Sequence, residues 1–149
     1  MQGFTGFDTL KEGGKLVKTF FKIQFLSLSF FFGLITLLIF FLPNVVYDFY
    51  SFDAESVNEI GRNQIRTDTG GVWLLVAVLP ILFLTTKNDY FIDVMILFFI
   101  VATVARGISF LTGDGYHFIT IALFAGEIYW IVLLLYFKQK FPNGSFFIK

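Results

Sequence analysis

Residues 90–112 read YFIDVMILFFIVATVARGISFLT, a stretch that is apolar along almost its whole length. A helix needs roughly 20 mainly apolar residues to cross the hydrocarbon core of a bilayer. Three more apolar stretches, at about 20–42, 70–86 and 116–138, meet or approach that length. None of the four alternates between apolar and polar residues as membrane β-strands do. The sequence therefore predicts an all-α polytopic membrane protein, a bundle of four transmembrane helices.

The composition supports this prediction and excludes other classes. Of 149 residues, 56% are hydrophobic and only 15% are charged, whereas soluble domains carry about 25% charged residues. Disorder requires low hydrophobicity and high net charge, and the formal net charge here is zero. A neutral chain also argues against a nucleic-acid partner, because phosphates require a basic face. With no Cys, the chain has no thiolate chemistry and no disulfide.

The spans divide the chain into three regions. Residues 1–19 are predicted to be a cytoplasmic N-terminal segment with the apolar residues of an interfacial helix. Residues 20–138 form the membrane domain, and residues 139–149 form a cytoplasmic tail. Helix two is predicted to extend outward to about Val57, because Ser56 and Glu59 have the spacing of a capping box.

The lysines predict the orientation in the membrane. They all lie before or at the start of helix one, in the second loop or in the tail, and these regions share one side of a four-span protein. The positive-inside rule places that side in the cytoplasm. Both termini are then cytoplasmic, and the predicted location is the bacterial cytoplasmic (inner) membrane. The eight lysines are Lys11, Lys15, Lys18, Lys22, Lys87, Lys138, Lys140 and Lys149.

Two charged residues lie deep in the predicted spans: Arg106 in helix three and Glu127 in helix four. A charge at such a depth costs roughly 2.5 to 3.5 kcal/mol on insertion scales and by default marks a functional site. At 1.5 Å per residue, Arg106 lies about 9 Å and Glu127 about 16 Å below the outer ends of their helices. Long side chains lean toward the N-terminus of their helix, so these two lean toward each other. Because a short loop makes the helices antiparallel neighbours, we expect an Arg–Glu ion pair.

Further polar residues are predicted at the same outer-leaflet level. Their spacing predicts a polar pocket that opens to the outside and is lined by helices two, three and four. Its ligand would be a small polar or anionic solute or a lipid headgroup. The candidate ligand-binding residues are Arg62, Arg66, Arg106, Ser109, Asp114, His117 and Glu127.

A purely structural interpretation of the same residues stays open. Arg106 and Glu127 equally fit a buried ion pair that fixes the register of two helices. This interpretation is compatible with a ligand pocket. Arg66 also fits a side chain whose stem lies in the membrane while its charged head reaches the headgroups.

Metal and cofactor chemistry has little support in the sequence. His117 is the only histidine, so the chain alone cannot ligate a haem with two histidines. A zinc site needs three protein ligands, and Asp114, His117 and Glu127 are scattered in depth. We predict no cofactor, no metal site and no catalytic residue, and we favour a protein that is not an enzyme.

Two alternatives to a ligand-binding protein remain. The first is an accessory or structural subunit of a larger membrane complex. Its partner subunits would contact the small residues Ser29, Gly33 and Thr36 of helix one and the aromatic residues of the first loop, which are Tyr47, Phe49, Tyr50 and Phe52. Small residues at this spacing allow membrane helices to pack closely. The second is a membrane enzyme or proton-coupled carrier that uses Glu127 as an acid–base group.

Three short motifs resemble a known family. Arg66-Thr67-Asp68-Thr69-Gly70-Gly71 opens helix two, Ala105-Arg106-Gly107-Ile108-Ser109 precedes Asp114-Gly115, and Glu127 lies in helix four. Together these motifs resemble an uncharacterised family of small four-helix bacterial membrane proteins, a domain of unknown function. The resemblance covers residues 58–136, although Thr69 replaces the aromatic residue expected before the two glycines. It implies a four-helix bundle that shares Arg66, Arg106, Asp114 and Glu127, and it implies no activity.

Overall fold

The computed structural model describes residues 6–45, 63, 65–112 and 118–147. These residues form helices and short connections, with no strand among them. Four segments are long and apolar enough to cross a membrane, which confirms the predicted class of helical membrane protein. The helices are α1 (Gly6–Phe41), α2 (Gly71–Thr86), α3 (Tyr90–Leu111) and α4 (Phe118–Lys140). A π-helical segment (Ile65–Gly70) precedes α2, and a 3-10 helix (Pro142–Phe147) follows α4.

The chain divides into two compact units, Met1–Leu84 and Thr85–Lys149. The first unit contains α1, the π-helical segment and most of α2. The second contains α3, α4 and the C-terminal 3-10 helix. Each unit has its own helix hairpin.

In the first unit, α1 and α2 pack as antiparallel neighbours. The rings of Phe25 and Phe83 meet edge to face with centroids 5.2 Å apart, and Phe32 stacks on Trp73 at 4.7 Å. The earlier residue of α1 contacts the later residue of α2, and the later residue of α1 contacts the earlier residue of α2. The two helices are therefore antiparallel. Phe25 and Phe83 are fully buried, and such aromatic pairs stabilise packing beyond the area they bury.

The helix α1 extends well beyond the predicted span. Its 36 residues correspond to about 54 Å at 1.5 Å per residue. It passes without interruption through Gly13 and Gly14, although glycine inside a helix is unfavourable. The described span-like part of α1, Gly14–Phe41, includes the predicted start near Phe20.

The π-helical segment approaches α1 very closely at Gly70. A Cβ atom added to Gly70 would lie 2.5 Å from Cε1 of Phe40 and 3.1 Å from Cγ2 of Ile39. Glycine therefore allows an approach that any larger residue would push apart. The predicted outward extension of helix two toward Val57, with its capping box, lies outside the described residues.

The second unit is built on the antiparallel pair of α3 and α4. Phe110 meets Phe124 edge to face at 5.4 Å, and nearer the other end Phe99 stacks on Trp130 at 6.2 Å. The core includes Ile92, Met95 and Phe99 from α3 and Leu134 and Phe137 from α4. This arrangement is the helix hairpin expected from the short third loop.

The C-terminal 3-10 helix folds back onto the end of α4. The ring of Phe146 lies 5.2 Å from those of Phe137 and Phe141, and all three side chains are buried. The Nζ atom of Lys87 lies over the ring of Phe147 at 5.9 Å, within the range of a cation–π interaction. The tail is therefore packed against its own unit up to Phe147.

Candidate functional site

The side chains of Arg106 and Glu127 form a salt bridge between α3 and α4. The Nε atom of Arg106 donates to both carboxylate oxygens of Glu127 at 3.2 Å, and Nη2 donates to Oε1 at 2.8 Å. The bond from Nη2 has the length of a charge-assisted hydrogen bond, and the two bonds from Nε are longer. The ion pair expected from the sequence is confirmed.

Helix direction explains why these two residues meet. Long side chains lean toward the N-terminus of their own helix. Because α3 and α4 are antiparallel, the side chains of Arg106 and Glu127 lean in opposite directions along the hairpin. They meet between the levels of their two Cα atoms. The Phe110–Phe124 pair packs beyond the salt bridge toward the loop between the helices, and the Phe99–Trp130 pair packs on its other side. The aromatic pairs hold the two helices at a fixed register around the charges.

The two charged groups differ in their exposure. The Glu127 side chain is 7% exposed, whereas that of Arg106 is 21% exposed. A buried carboxylate is tolerated only when it is paired and hydrogen-bonded, and Arg106 provides that pairing. The Glu127 side chain is therefore enclosed, while part of the Arg106 side chain stays accessible.

The salt bridge uses only one edge of the guanidinium group. Arginine has five N–H donors, and Glu127 accepts from Nε and Nη2. Among the residues that the structure describes, none accepts a hydrogen bond from Nη1 of Arg106. The Nη1 edge is therefore the part of this site that is able to bind a further acceptor.

Two hydroxyl groups lie on α3 within one turn of Arg106. Ser109 is half-buried and follows Arg106 by three residues, a spacing that places both on one side of a helix. Thr103 precedes Arg106 by three residues, and its Oγ1 atom is buried without a hydrogen-bond partner in the described part of the chain. The structure thus pairs Arg106 with Glu127 and has Ser109 one turn away from Arg106 on α3.

Arg66 belongs to the other unit. It lies in the π-helical segment and is exposed, as expected for a residue at headgroup level. The next residue, Thr67, donates its hydroxyl to the carbonyl of Asn63 at 3.0 Å. Three further candidates, Arg62, Asp114 and His117, lie outside the described residues.

A second ion pair, between Asp93 and Lys138, was missed by the sequence analysis. Lys138 Nζ bonds Oδ1 of Asp93 near the other end of the same hairpin. Both side chains are about half exposed. The sequence positions indicate this pair. Asp93 is in the first turn of α3 and Lys138 is in the last turn of α4, and these two ends are adjacent in an antiparallel hairpin.

The small residues of α1 face α2. Ser29 and Thr36 are buried, and a Cβ atom on Gly33 would lie 3.9 Å from Cβ of Ala77. Thr36 donates its hydroxyl to the carbonyl of Phe32 at 2.8 Å. This face therefore contributes to packing within the first unit.

Comparisons with known proteins give no relative. No family model matches the chain, and no curated protein or solved structure matches it. The resemblance to a family of small four-helix bacterial membrane proteins therefore stays a prediction, and the site has to be interpreted from its own geometry. In the described part of the chain, no three His, Cys, Asp or Glu side chains are grouped to bind a metal.

Proposed function

We propose that the site formed by Arg106 and Glu127 binds a small polar or anionic ligand, or a lipid headgroup, from the outer leaflet. The observation that carries this proposal is that Glu127 accepts hydrogen bonds from Nε and Nη2 of Arg106, while no described residue accepts one from Nη1. One edge is held by the enclosed carboxylate of Glu127, and the other edge belongs to a side chain that is one-fifth exposed. An unpaired N–H donor at membrane depth is costly, so an acceptor at this edge stabilises the protein.

The chemistry of the site favours ligands with planar pairs of oxygen atoms. A guanidinium group binds carboxylate and phosphate oxygens through parallel N–H donors. Glu127 acts as an orienting residue because it holds Arg106 in one rotamer through two donor atoms. The pair is neutral overall, so a ligand is recognised by its acceptor geometry rather than by a large net charge.

The other candidate residues complete this proposal. Ser109 supplies a hydroxyl on the same side of α3. Asp114 and His117, which lie between α3 and α4 in the sequence, are proposed as further polar contacts, and the predicted roles of Arg62 and Arg66 in the other unit stay predictions. The outer-leaflet location, the cytoplasmic termini and the bacterial inner membrane also belong to the proposal, and the distribution of the eight lysines supports them.

The test is thermal unfolding of the purified protein in detergent, with and without candidate ligands. Phosphatidylglycerol, glycerol phosphate and acetate represent a headgroup on a lipid, a free phosphate and a carboxylate. A ligand of this site raises the unfolding temperature of the wild type more than that of Arg106→Ala, whereas a lipid bound elsewhere on the protein raises both equally. If every ligand has the same effect on the two proteins, the pocket proposal is wrong.

A charge exchange separates binding from a purely structural role. The double variant R106E/E127R keeps an ion pair between the same two positions but moves the guanidinium group to α4. We expect it to unfold near the wild-type temperature without ligand and to lose the ligand-induced shift. A preserved shift would contradict the assignment of the Nη1 edge of Arg106 as the binding edge.

The alternatives have less support from the described residues. For an accessory subunit, Ser29 and Thr36 are already buried, so a partner on α1 would contact the groove around Gly33 rather than these two hydroxyl groups. A proton carrier or enzyme based on Glu127 would need a carboxylate oxygen that approaches a substrate. Both oxygens of Glu127 instead accept hydrogen bonds from Arg106.

A further inference from the structure

Three lysines form a basic stripe on the N-terminal part of α1. Lys15, Lys18 and Lys22 follow one another at steps of three and four residues. At 3.6 residues per turn, they lie within an arc of about 60°. Lys15 and Lys22 are exposed. The stripe thus directs three positive charges to one side of a single helix.

The lysines lie at the end of the uncharged part of α1. From Ile23 to Phe41 the helix has 19 residues without a charge, or about 28 Å at 1.5 Å per residue. That length matches the hydrocarbon core of a bilayer, about 30 Å. Lys22 then lies at the edge of the core and Lys15 about 10 Å further out, which is headgroup depth. Apolar residues on other sides of α1 at this level, Leu16 (71% exposed) and Phe20 (46% exposed), fit a position at the membrane surface.

An apolar groove continues the line of the stripe along α1. It has a volume of about 400 Å³, and Gly33 gives it depth because it has no side chain. Ser29 and Phe40 follow Lys22 by 7 and 18 residues. At 100° per residue, both lie within about 20° of Lys22 around the axis of α1. The lining residues are Ser29, Phe30, Gly33, Leu34, Thr36, Leu37, Phe40 and Leu74.

We propose that the stripe and the near half of the groove form one binding site for an anionic phospholipid. The phosphodiester binds Lys15, Lys18 and Lys22, and an acyl chain passes Leu26 to the groove beside Ser29 and Leu34. Ser29 lies about 10 Å deeper than Lys22 at 1.5 Å per residue, a distance that an acyl chain covers within its own leaflet. Positive charge at headgroup depth, continued by an apolar groove, matches a lipid better than it matches an acidic protein segment.

This lipid site is independent of the proposed ligand site. It lies entirely on α1 and α2, whereas Arg106 and Glu127 lie on α3 and α4. The variant Arg106→Ala is therefore expected to keep the lipid of the first unit. The two proposals can therefore fail independently.

Native mass spectrometry of the full chain tests the proposal. The protein is released from detergent micelles that contain either phosphatidylglycerol or phosphatidylcholine. We expect the wild type to retain phosphatidylglycerol in preference to phosphatidylcholine. Each lysine near an anionic lipid contributes roughly a fivefold gain in binding, so K15Q/K18Q/K22Q is expected to lose the preference by about 100-fold.

Two matched controls test the direction of the stripe and the role of the groove. The variant K15L/L16K/K18T/T19K exchanges Lys15 with Leu16 and Lys18 with Thr19. The composition and net charge of the chain are kept, but two lysines move to other sides of α1. It is expected to lose most of the preference. In the groove, Leu34→Trp is expected to weaken retention, whereas Phe31→Trp, on the opposite side of α1 from Lys22, is not.

Several results would overturn the proposal. Equal retention of phosphatidylglycerol by the exchanged variant would show that only net charge matters. Displacement of the lipid by inorganic phosphate would show a phosphate site without a role for the acyl chain. If the lysine variants lost only a co-purifying acidic protein, the stripe would be a protein interface. Circular dichroism of each variant checks that loss of lipid is not loss of fold.

Discussion

Arg106 and Glu127 are 21 residues apart in the chain, and three hydrogen bonds of 2.8–3.2 Å join them across α3 and α4. The Glu127 side chain is almost fully enclosed and the Arg106 side chain is partly exposed. Each charge is tolerated in the hairpin because the other is present. Removal of one partner and removal of both therefore have different consequences.

Replacement of one partner is expected to destabilise the second unit strongly. Arg106→Leu leaves the enclosed carboxylate unpaired and should lower the free energy of unfolding by about 3 kcal/mol, the lower end of the range for a broken buried pair. The double variant R106L/E127L removes both charges and should unfold within about 1 kcal/mol of the wild type. Denaturant titration in detergent measures both. A single variant as stable as the double would contradict this account of the pair.

Gly70 and Gly71 provide a matched pair of substitutions in the first unit. Gly70→Ala places a methyl group 2.5 Å from the ring of Phe40 and should destabilise by about 1–2 kcal/mol, as overpacking does. Gly71→Ala meets nothing within 4 Å and should be neutral or stabilise by up to about 1 kcal/mol through helix propensity. Thermal unfolding of the two variants checks the order. The reverse order would mean that the approach of Gly70 to α1 is not tight in the membrane.

The Asp93–Lys138 pair should matter much less than the Arg106–Glu127 pair. Both of its side chains are about half exposed, and exposed ion pairs contribute less than about 1 kcal/mol and are screened by salt. Asp93→Asn is therefore expected to lower stability only slightly, and less at high salt. Unfolding measured at two salt concentrations tests this. A loss as large as that of Arg106→Leu would show that the pair is buried in the membrane.

The predicted orientation can be tested because the chain has no Cys of its own. A single cysteine at Lys140, after the last predicted span, should be protected from a membrane-impermeant maleimide in intact cells and labelled after lysis. A cysteine at Thr112, at the opposite end of the hairpin, should be labelled in intact cells. The opposite pattern would place the termini outside and reject the positive-inside assignment for this chain.

The helical class follows from the sequence because backbone N–H and C=O groups in lipid have to form hydrogen bonds within the protein. In the absence of water, an isolated apolar span satisfies its own amide groups only as a helix. Four long apolar stretches were therefore enough to predict four helices. The salt bridge was also predictable, since a short loop and the lean of long side chains bring Arg106 and Glu127 together.

Other features depend on information that the sequence does not contain. From Ile23 to Phe41 α1 has no charged residue, so hydropathy does not distinguish the side that faces α2 from the side that faces lipid. The sequence therefore left open which helix meets the small residues Ser29, Gly33 and Thr36, and the structure packs them beside α2. A contact of this face with a partner subunit stays a prediction. The close approach of Gly70 to Phe40 is a tertiary contact, and no local sequence pattern predicted it or the π-helical segment before α2.

The enclosed carboxylate also has a consequence for the biogenesis of the protein. During synthesis α3 leaves the ribosome before α4, and an unpaired Arg106 would then oppose its partition into lipid by roughly 2.5 to 3.5 kcal/mol. Glu127 would oppose the partition of α4 in the same way. When both helices enter together, each charge arrives with its counter-ion. The hairpin, and not the single helix, is therefore the unit whose insertion by the translocation machinery is favoured.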